Sequence, residues 1–278
     1  MRKRGIFLIV MAVLLVVGAV VWLAPRNPPE PVYDGRPLSY WLQGMSFAGA
    51  STNHPNYVEA LDAMSAAGTN GTPTLLRLLR AKDSPLKLKF FSLLQRQHIF
   101  KVHFVPADVL NFEAVMALER EPFFKSTLPD LIEIYDENIS PASQRAILDM
   151  VMLLGPDAKD ATPALLRGLT NRDYFVRNGA VNALRMVHAD PKLAVPELIK
   201  SLQDPFPANR MDAAYALGSY RTNASAAVVP LLQMLNDKKA LSNTSRYPAQ
   251  VRAGVEFALN AIDRDAAAKA GVKIEEEH

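Results

Sequence analysis

The stretch Thr162-Pro163-Ala164-Leu165-Leu166 returns one unit later as Val195-Pro196-Glu197-Leu198-Ile199, and this recurrence decides the fold. The same pattern stands upstream at Leu128-Pro129-Asp130-Leu131-Ile132 and Thr72-Pro73-Thr74-Leu75-Leu76, and downstream at Val229-Pro230-Leu231-Leu232. From Pro129 through Pro163 and Pro196 to Pro230 the step is nearly constant. Such a register marks an internal repeat of about 34 residues.

Proline fits the first turn of a helix, where its missing N–H leaves no bond unmade. The apolar positions after it line one face, which predicts a helix of about ten residues, too short to be stable alone. Polar turns follow at 171–173, 203–205 and 236–237. A second helix then opens on Arg177, Ala180, Ala183 and Leu184, a spacing repeated by Arg210, Ala213, Ala216 and Leu217 and by Arg252, Val255, Ala258 and Leu259. Gly155 and Gly218 fall where a second helix is expected to stop. Each unit is a helical hairpin that must stack on its neighbours to bury its apolar face. The fold class expected is all-α, an α-solenoid.

The motif Pro-x-Leu-Leu/Ile at Pro163 and Pro196, followed by Arg-x-x-Ala-x-x-Ala-Leu at Arg177 and Arg210, resembles the HEAT repeat. The likeness is best over 163–187 and 196–220 and extends over about 56–264. The resemblance implies ladders between an Asp in the turn and an Arg opening the second helix. The matching positions are Asp173 or Asn171 with Arg177, Asp204 with Arg210, and Asp237 with Arg252. The segment Tyr33 to Leu42 (Tyr-x-Gly-x-x-Leu-x-x-Trp-Leu) is similar to the opening of membrane-anchored bacterial HEAT-repeat proteins. HEAT arrays serve many tasks, so the resemblance implies a fold and no activity.

Ahead of the repeats, Ile6 to Ala24 is a nearly unbroken apolar run. As a helix it would span roughly 28 Å, close to the hydrocarbon thickness of a bilayer. Arg2, Lys3 and Arg4 precede it and Trp22 stands near its far end. This predicts an uncleaved anchor at 1–24, a cytoplasmic N-terminus and an extracytoplasmic (periplasmic) body. A cleaved signal peptide with a secreted body is the alternative, but the run is long and lacks a small-x-small site. Residues 25–37 hold five prolines and read as a stalk. The array is expected over 38–264, with a polar C-terminal tail at 265–278. Pro37 to Met45 reads as an amphipathic helix whose Trp41 covers the open end of the stack, and Tyr57, Leu61, Met64 and Ala67 mark an incomplete first repeat.

The net charge is +3, and the three basic residues before the apolar run account for all of it: beyond residue 24, 28 basic residues face 28 acidic ones. A neutral body argues against a nucleic-acid partner. Cysteine is absent, which excludes disulfides, thiol catalysis and thiolate metal sites. Gly44 to Ser51 has the glycine spacing of a phosphate loop but carries Ala50 where the lysine must stand. Ser84-Pro85-Leu86-Lys87 lacks the companion motifs of penicillin-recognising enzymes. His98 and His103 are five apart and do not share a helix face, and His188 sits at a helix end, where it caps rather than ligates. No cofactor, metal, catalytic set or small-molecule substrate is therefore expected.

The register breaks twice. The step from Pro73 to Pro129 is more than half as long again as the others, with helices expected at about 85–97 and 107–120, and eight extra residues lengthen the turn before Arg252. Residues 77–101 hold seven basic residues against Asp83 alone, and 106–141 hold eight acidic ones. The two stretches read as surfaces compensating each other, or as a patch for anionic lipid or an acidic partner. The candidate partner surface is Arg77, Arg80, Lys87, Lys89, Arg96 and Lys101 with Arg246 and Tyr247 of the long loop. The function expected is a non-catalytic scaffold binding an unknown protein or peptide and held at the membrane through residues 6–24. A HEAT-type lyase or chaperone acting on a partner protein, and nucleic-acid binding through the 77–101 patch, are the alternatives.

Overall fold

The computed structural model describes residues 29–47, 55–96, 105–119, 124–237 and 248–273. Apart from one short hairpin, the described chain is all-α. The apolar run 6–24 and the start of the stalk lie outside the described residues, among which no helix is long and apolar enough to cross a membrane.

The second half of the expected stalk is folded. Strands β1 (Val32–Tyr33) and β2 (Arg36–Pro37) pair antiparallel around Asp34 and Gly35, at φ 43° and 71°. Two successive left-handed residues are what a two-residue hairpin loop demands. The hairpin is held because Tyr33 packs on the core, and Trp41 donates its indole N–H to the Tyr33 carbonyl at 3.0 Å. Helix α1 (Leu38–Phe47) buries Leu38, Trp41 and Leu42 against α2 (Pro55–Ala67), which contributes Ala60, Ala63, Met64 and Ala67.

The proline-led helices are α3 (Thr72–Leu79), α6 (Leu128–Asp136), α8 (Thr162–Gly168), α10 (Pro191–Ser201) and α12 (Val228–Asn236). Between them run α4 (Pro85–Arg96), α5 (Ala107–Leu118), α7 (Pro141–Leu154), α9 (Tyr174–Met186), α11 (Pro207–Ser219) and α13 (Pro248–Ile262), with α14 (Arg264–Lys269) at the end. The pairs α6/α7, α8/α9, α10/α11 and α12/α13 pack as hairpins, and α3 pairs with α5 rather than with α4. The widened gap after Pro73 is thus a hairpin with an extra helix inserted in its turn. The second members touch in chain order, α5 on α7, α7 on α9, α9 on α11, α11 on α13. Ala180, Ala183, Ala213, Ala214, Ala216 and Ala258 are fully buried along these contacts, where small side chains let the helices approach closely.

The second helices stop at Gly155, His188 and Arg221, which recur at the repeat spacing and are all left-handed, with φ of 53°, 51° and 50°. At His188 the termination is a complete Schellman pair: Ala189 N–H reaches the Leu184 carbonyl and His188 N–H the Arg185 carbonyl, both at 3.2 Å. Gly218 does not end its helix, contrary to expectation. It lies inside α11, where a Cβ would meet the Phe257 ring at 2.8 Å and the Ala258 backbone at 3.0 Å, so its role is close packing of α11 on α13.

Two further expectations are corrected. Pro196 is not in the first turn of its helix: Asp190 caps α10 by accepting from Lys192 N–H at 2.9 Å, and the helix starts at Pro191. The other first helices are instead preceded by 3₁₀ turns at 68–71, 124–127, 155–161 and 221–227. The expected polar tail begins as helix α14, because Ala267 and Val272 offer apolar surface that becomes buried.

Candidate interaction surface

The register of the second helices is carried by one polar position. Asn111, Gln144, Arg177 and Arg210 stand on α5, α7, α9 and α11, each one repeat after the last. Each donates to carbonyls at the end of its partner helix or in the turn that follows it. Asn111 Nδ2 reaches the carbonyls of Leu78, Leu79 and Ala81 at 2.8, 3.1 and 3.3 Å. Gln144 Nε2 reaches Tyr135 at 3.2 Å. Arg177 Nη1 reaches Asn171 and Arg172 at 2.9 and 3.2 Å, and Arg210 Nη1 repeats this on Asp204 and Pro205 at 2.8 and 3.2 Å.

Two of these side chains, Gln144 and Arg177, also link adjacent hairpins. Gln144 Oε1 accepts from Asn171 Nδ2 at 3.1 Å. Arg177 grips the Asp204 carboxylate at two points, Nε to Oδ2 at 2.6 Å and Nη2 to Oδ1 at 3.0 Å. Asp204 also accepts from Phe206 N–H at 2.8 Å and Asn209 Nδ2 at 3.2 Å. Burial disfavours the Asp204 carboxylate, but these hydrogen bonds and the Arg177 charge outweigh it and hold its pKa below the usual value. Hydrogen bonding to Asp204 raises the Arg177 pKa in turn. Burial lowers that of Arg210, opposed by the charges of Asp204 and Asp237.

The ladder therefore runs one turn forward of the pairing expected from sequence. Asp173 does not hold Arg177 by a salt bridge; it caps α9, accepting from Phe175 and Val176 N–H at 3.0 and 3.1 Å. Asp204 offers Arg210 its carbonyl, while its carboxylate takes the Arg177 guanidinium beside Phe206 N–H and Asn209. Arg252 pairs not with Asp237 but with Glu256 on its own helix, at 2.7 Å. The eight extra residues before α13 carry Arg252 off the repeat register, and the i,i+4 spacing places Glu256 beside it. Sequence reading missed Asn111 and Gln144 because neither matches the arginine of the motif; their constant spacing from Arg177 and Arg210 was the available signal.

The candidate partner surface divides. Arg77 is tied to Glu30 at 2.8 Å, and Glu30 also accepts from Ser39 N–H at 2.7 Å in the first turn of α1. Burial of Glu30 works against its charge, yet Arg77 and Ser39 leave its pKa lowered. Arg80 meets Glu137 at 2.8 Å and Glu133 at 3.8 Å, so the acid-rich stretch compensates this part of the basic one. Lys87 pairs with Asp83 at 2.6 Å, while Lys89 and Arg96 are exposed on α4. Lys101, Arg246 and Tyr247 lie outside the described residues, as do His54, His98, His103 and His278.

A second exposed cluster was not anticipated. Tyr174 stacks on Phe206 with ring centroids 4.4 Å apart, and Arg177 lies over Phe206 and Arg145 over Phe175 at 5.7 and 5.0 Å. Phe175 and Phe206 remain 46% and 43% exposed. Nearby, Asp212 on α11 accepts from Asn178 and Asn182 on α9 at 2.5 and 3.3 Å, and Tyr215 leans on the exposed Phe257 at 5.2 Å. Half-exposed aromatic rings beside arginines form the composition of protein-binding surfaces. Among the described residues no cluster of three or more His, Cys, Asp or Glu could hold a metal ion. No protein-family model matches this chain, and no curated protein matches it.

Proposed function

We propose that this chain is a membrane-anchored α-solenoid of HEAT-like hairpins acting as a non-catalytic scaffold for a protein or peptide partner. Residues 6–24 are the anchor, and the hairpin stack stands on the extracytoplasmic side. The observation carrying this reading is the Asn111–Gln144–Arg177–Arg210 column. It ties each second helix to its own partner helix or turn and, through Gln144 and Arg177, to the turn of the next hairpin, so that side chains far apart in sequence recur along one continuous surface. The Tyr174, Phe175 and Phe206 rings with Arg145 and Arg177 are the binding patch this reading favours.

The test is capture from membrane and periplasmic extracts by the full-length protein in detergent, compared with a Phe175→Ser, Phe206→Ser variant of equal thermal stability. A partner retained by the parent and lost with the variant supports the reading. Equal capture by both would remove the aromatic patch from it, and capture of nothing above a blank resin would remove the scaffold. A reporter fused at the C-terminus tests the topology, and a cytoplasmic signal would overturn the extracytoplasmic placement.

A further inference from the structure

Helix α4 is inserted into the turn between α3 and α5 and has no extensive packing partner among the described helices. Leu86, Phe90 and Leu93 are 80%, 58% and 55% exposed. Spaced i, i+4 and i+7, they form a single apolar stripe. Lys87 flanks the stripe on one side, and Lys89 and Arg96 on the other. Pro85–Arg96 contains no Asp or Glu. Among the described residues nothing covers this leucine–phenylalanine stripe, a surface suited to another apolar phase.

The position of α4 identifies that phase. Glu30, at the start of the described chain, is clamped to Arg77 of α3, and α4 begins eight residues after Arg77. That is at most roughly 30 Å of chain. Residues 25–29, between the apolar run and Glu30, reach at most about 18 Å. The start of the inserted helix is therefore tethered within about 30 Å of the Glu30–Arg77 pair, close to where residues 6–24 join the fold.

We propose that α4 lies in the headgroup region of a bilayer containing anionic lipid, with Leu86, Phe90 and Leu93 inserted and Lys89 and Arg96 on lipid phosphates. This rests on the anchor reading of residues 6–24, which supplies the proximity. Apolar burial and attraction to anionic lipid together set the strength of such binding. The long basic side chains flank the stripe, placed to let their stems lie along it while their heads reach the phosphates. The contact would fix the tilt of the hairpin stack over the membrane, which a stalk alone cannot do.

The chain contains no cysteine, so Leu93→Cys provides a unique attachment point for an environment-sensitive fluorophore. The full-length labelled protein is reconstituted into phosphatidylcholine vesicles with and without phosphatidylglycerol. Blue-shifted emission, quenched by a headgroup-proximal spin-labelled lipid and dependent on phosphatidylglycerol, is the expected result. A probe on Val229→Cys, far along the chain and at a position 62% exposed, should stay in water. Lys89→Gln with Arg96→Gln should lower the ratio of immersed to free α4 about thirtyfold.

Water-like emission from the Leu93→Cys probe in anionic vesicles overturns the proposal. So does a blue shift that the spin-labelled lipid fails to quench, which would mean that protein covers the stripe, or one of equal size in neutral vesicles, which would mean that anionic lipid plays no part. Carbonate extraction of the same vesicles reports the anchor separately. If the chain is extracted, the anchor reading fails, and adding anionic vesicles to the released protein still tests α4.

Discussion

Arg177 and Asp204 meet through two charge-assisted hydrogen bonds across two hairpins, with side chains only 12% and 7% exposed. The bond joins the start of α9 to the turn before α11. With the Asn178–Asp212 bond and the Tyr174–Phe206 stack, it ties one hairpin to the next. Both charges have lost most of their water, so each depends on the other.

Arg177→Ala should therefore destabilise the protein by about 3 kcal/mol, since it leaves the Asp204 carboxylate buried and the Asn171 and Arg172 carbonyls short of a donor. Arg177→Lys should recover little of this, because a single ammonium cannot match both carboxylate oxygens. Urea unfolding of the two variants measures it. A loss under about 0.5 kcal/mol would place the pair among ordinary surface ion pairs.

The pH dependence follows from the same pair. The folded pKa of Asp204 is lowered, so its contribution is fully present above the unfolded value of about 4 and is lost as pH falls through the folded one. Glu30, also lowered, acts in the same sense. Melting temperature should thus fall as pH drops below about 4. Asp204→Asn should be less stable at neutral pH and lose less on acidification. Parallel pH profiles for parent and variant would mean that other carboxylates govern acid unfolding.

Asn111 marks the hairpin whose proline motif at Pro73 is followed by no legible arginine helix. Asn111→Ala should cost about 1 kcal/mol, because the Leu78 and Leu79 carbonyls lose their shared donor but keep the Ala81 N–H and the Ser143 hydroxyl. Asn111→Asp should cost more, since a carboxylate offers those carbonyls no N–H. Thermal unfolding of the pair decides whether this position carries the same load as Arg177.

Tyr135 and Gly168 test the packing between α6 and α8. A methyl group on Gly168 would collide with the Tyr135 hydroxyl and stand 2.9 Å from the Ala180 Cβ. The hydroxyl has no hydrogen-bond partner among the described residues, and burial pushes its pKa to about 12, with Asp136 adding to the shift and Arg167 opposing it. Gly168→Ala should cost about 2 kcal/mol. Tyr135→Phe should be neutral or stabilising and should recover part of that loss in the double variant. A double variant no better than Gly168→Ala would point to Ala180 as the obstacle.

The proline–leucine register fixed where the first helices of the later hairpins lie, because proline and buried leucine act through local geometry and periodicity. The recurrent Arg-x-x-Ala-x-x-Ala-Leu spacing fixed their second helices in the same way. Local rules did not reach as far at 85–119. There, Asn111 replaces the arginine and α4 interrupts the hairpin, so the partnership of α3 with α5 emerges only once their apolar faces meet. Partner choice among charges was also beyond the sequence. Asp173, Asp204 and Asp237 look alike along the chain, but packing turns one into a helix cap, sends another's carboxylate across to Arg177, and leaves Arg252 to Glu256. Sequence alone determined a repetitive all-α chain with an apolar N-terminal run and a neutral body. The tertiary structure decided which carbonyls needed donors, and so which side chains hold the hairpins in register and which, like Phe206 and Phe90, are left facing outward.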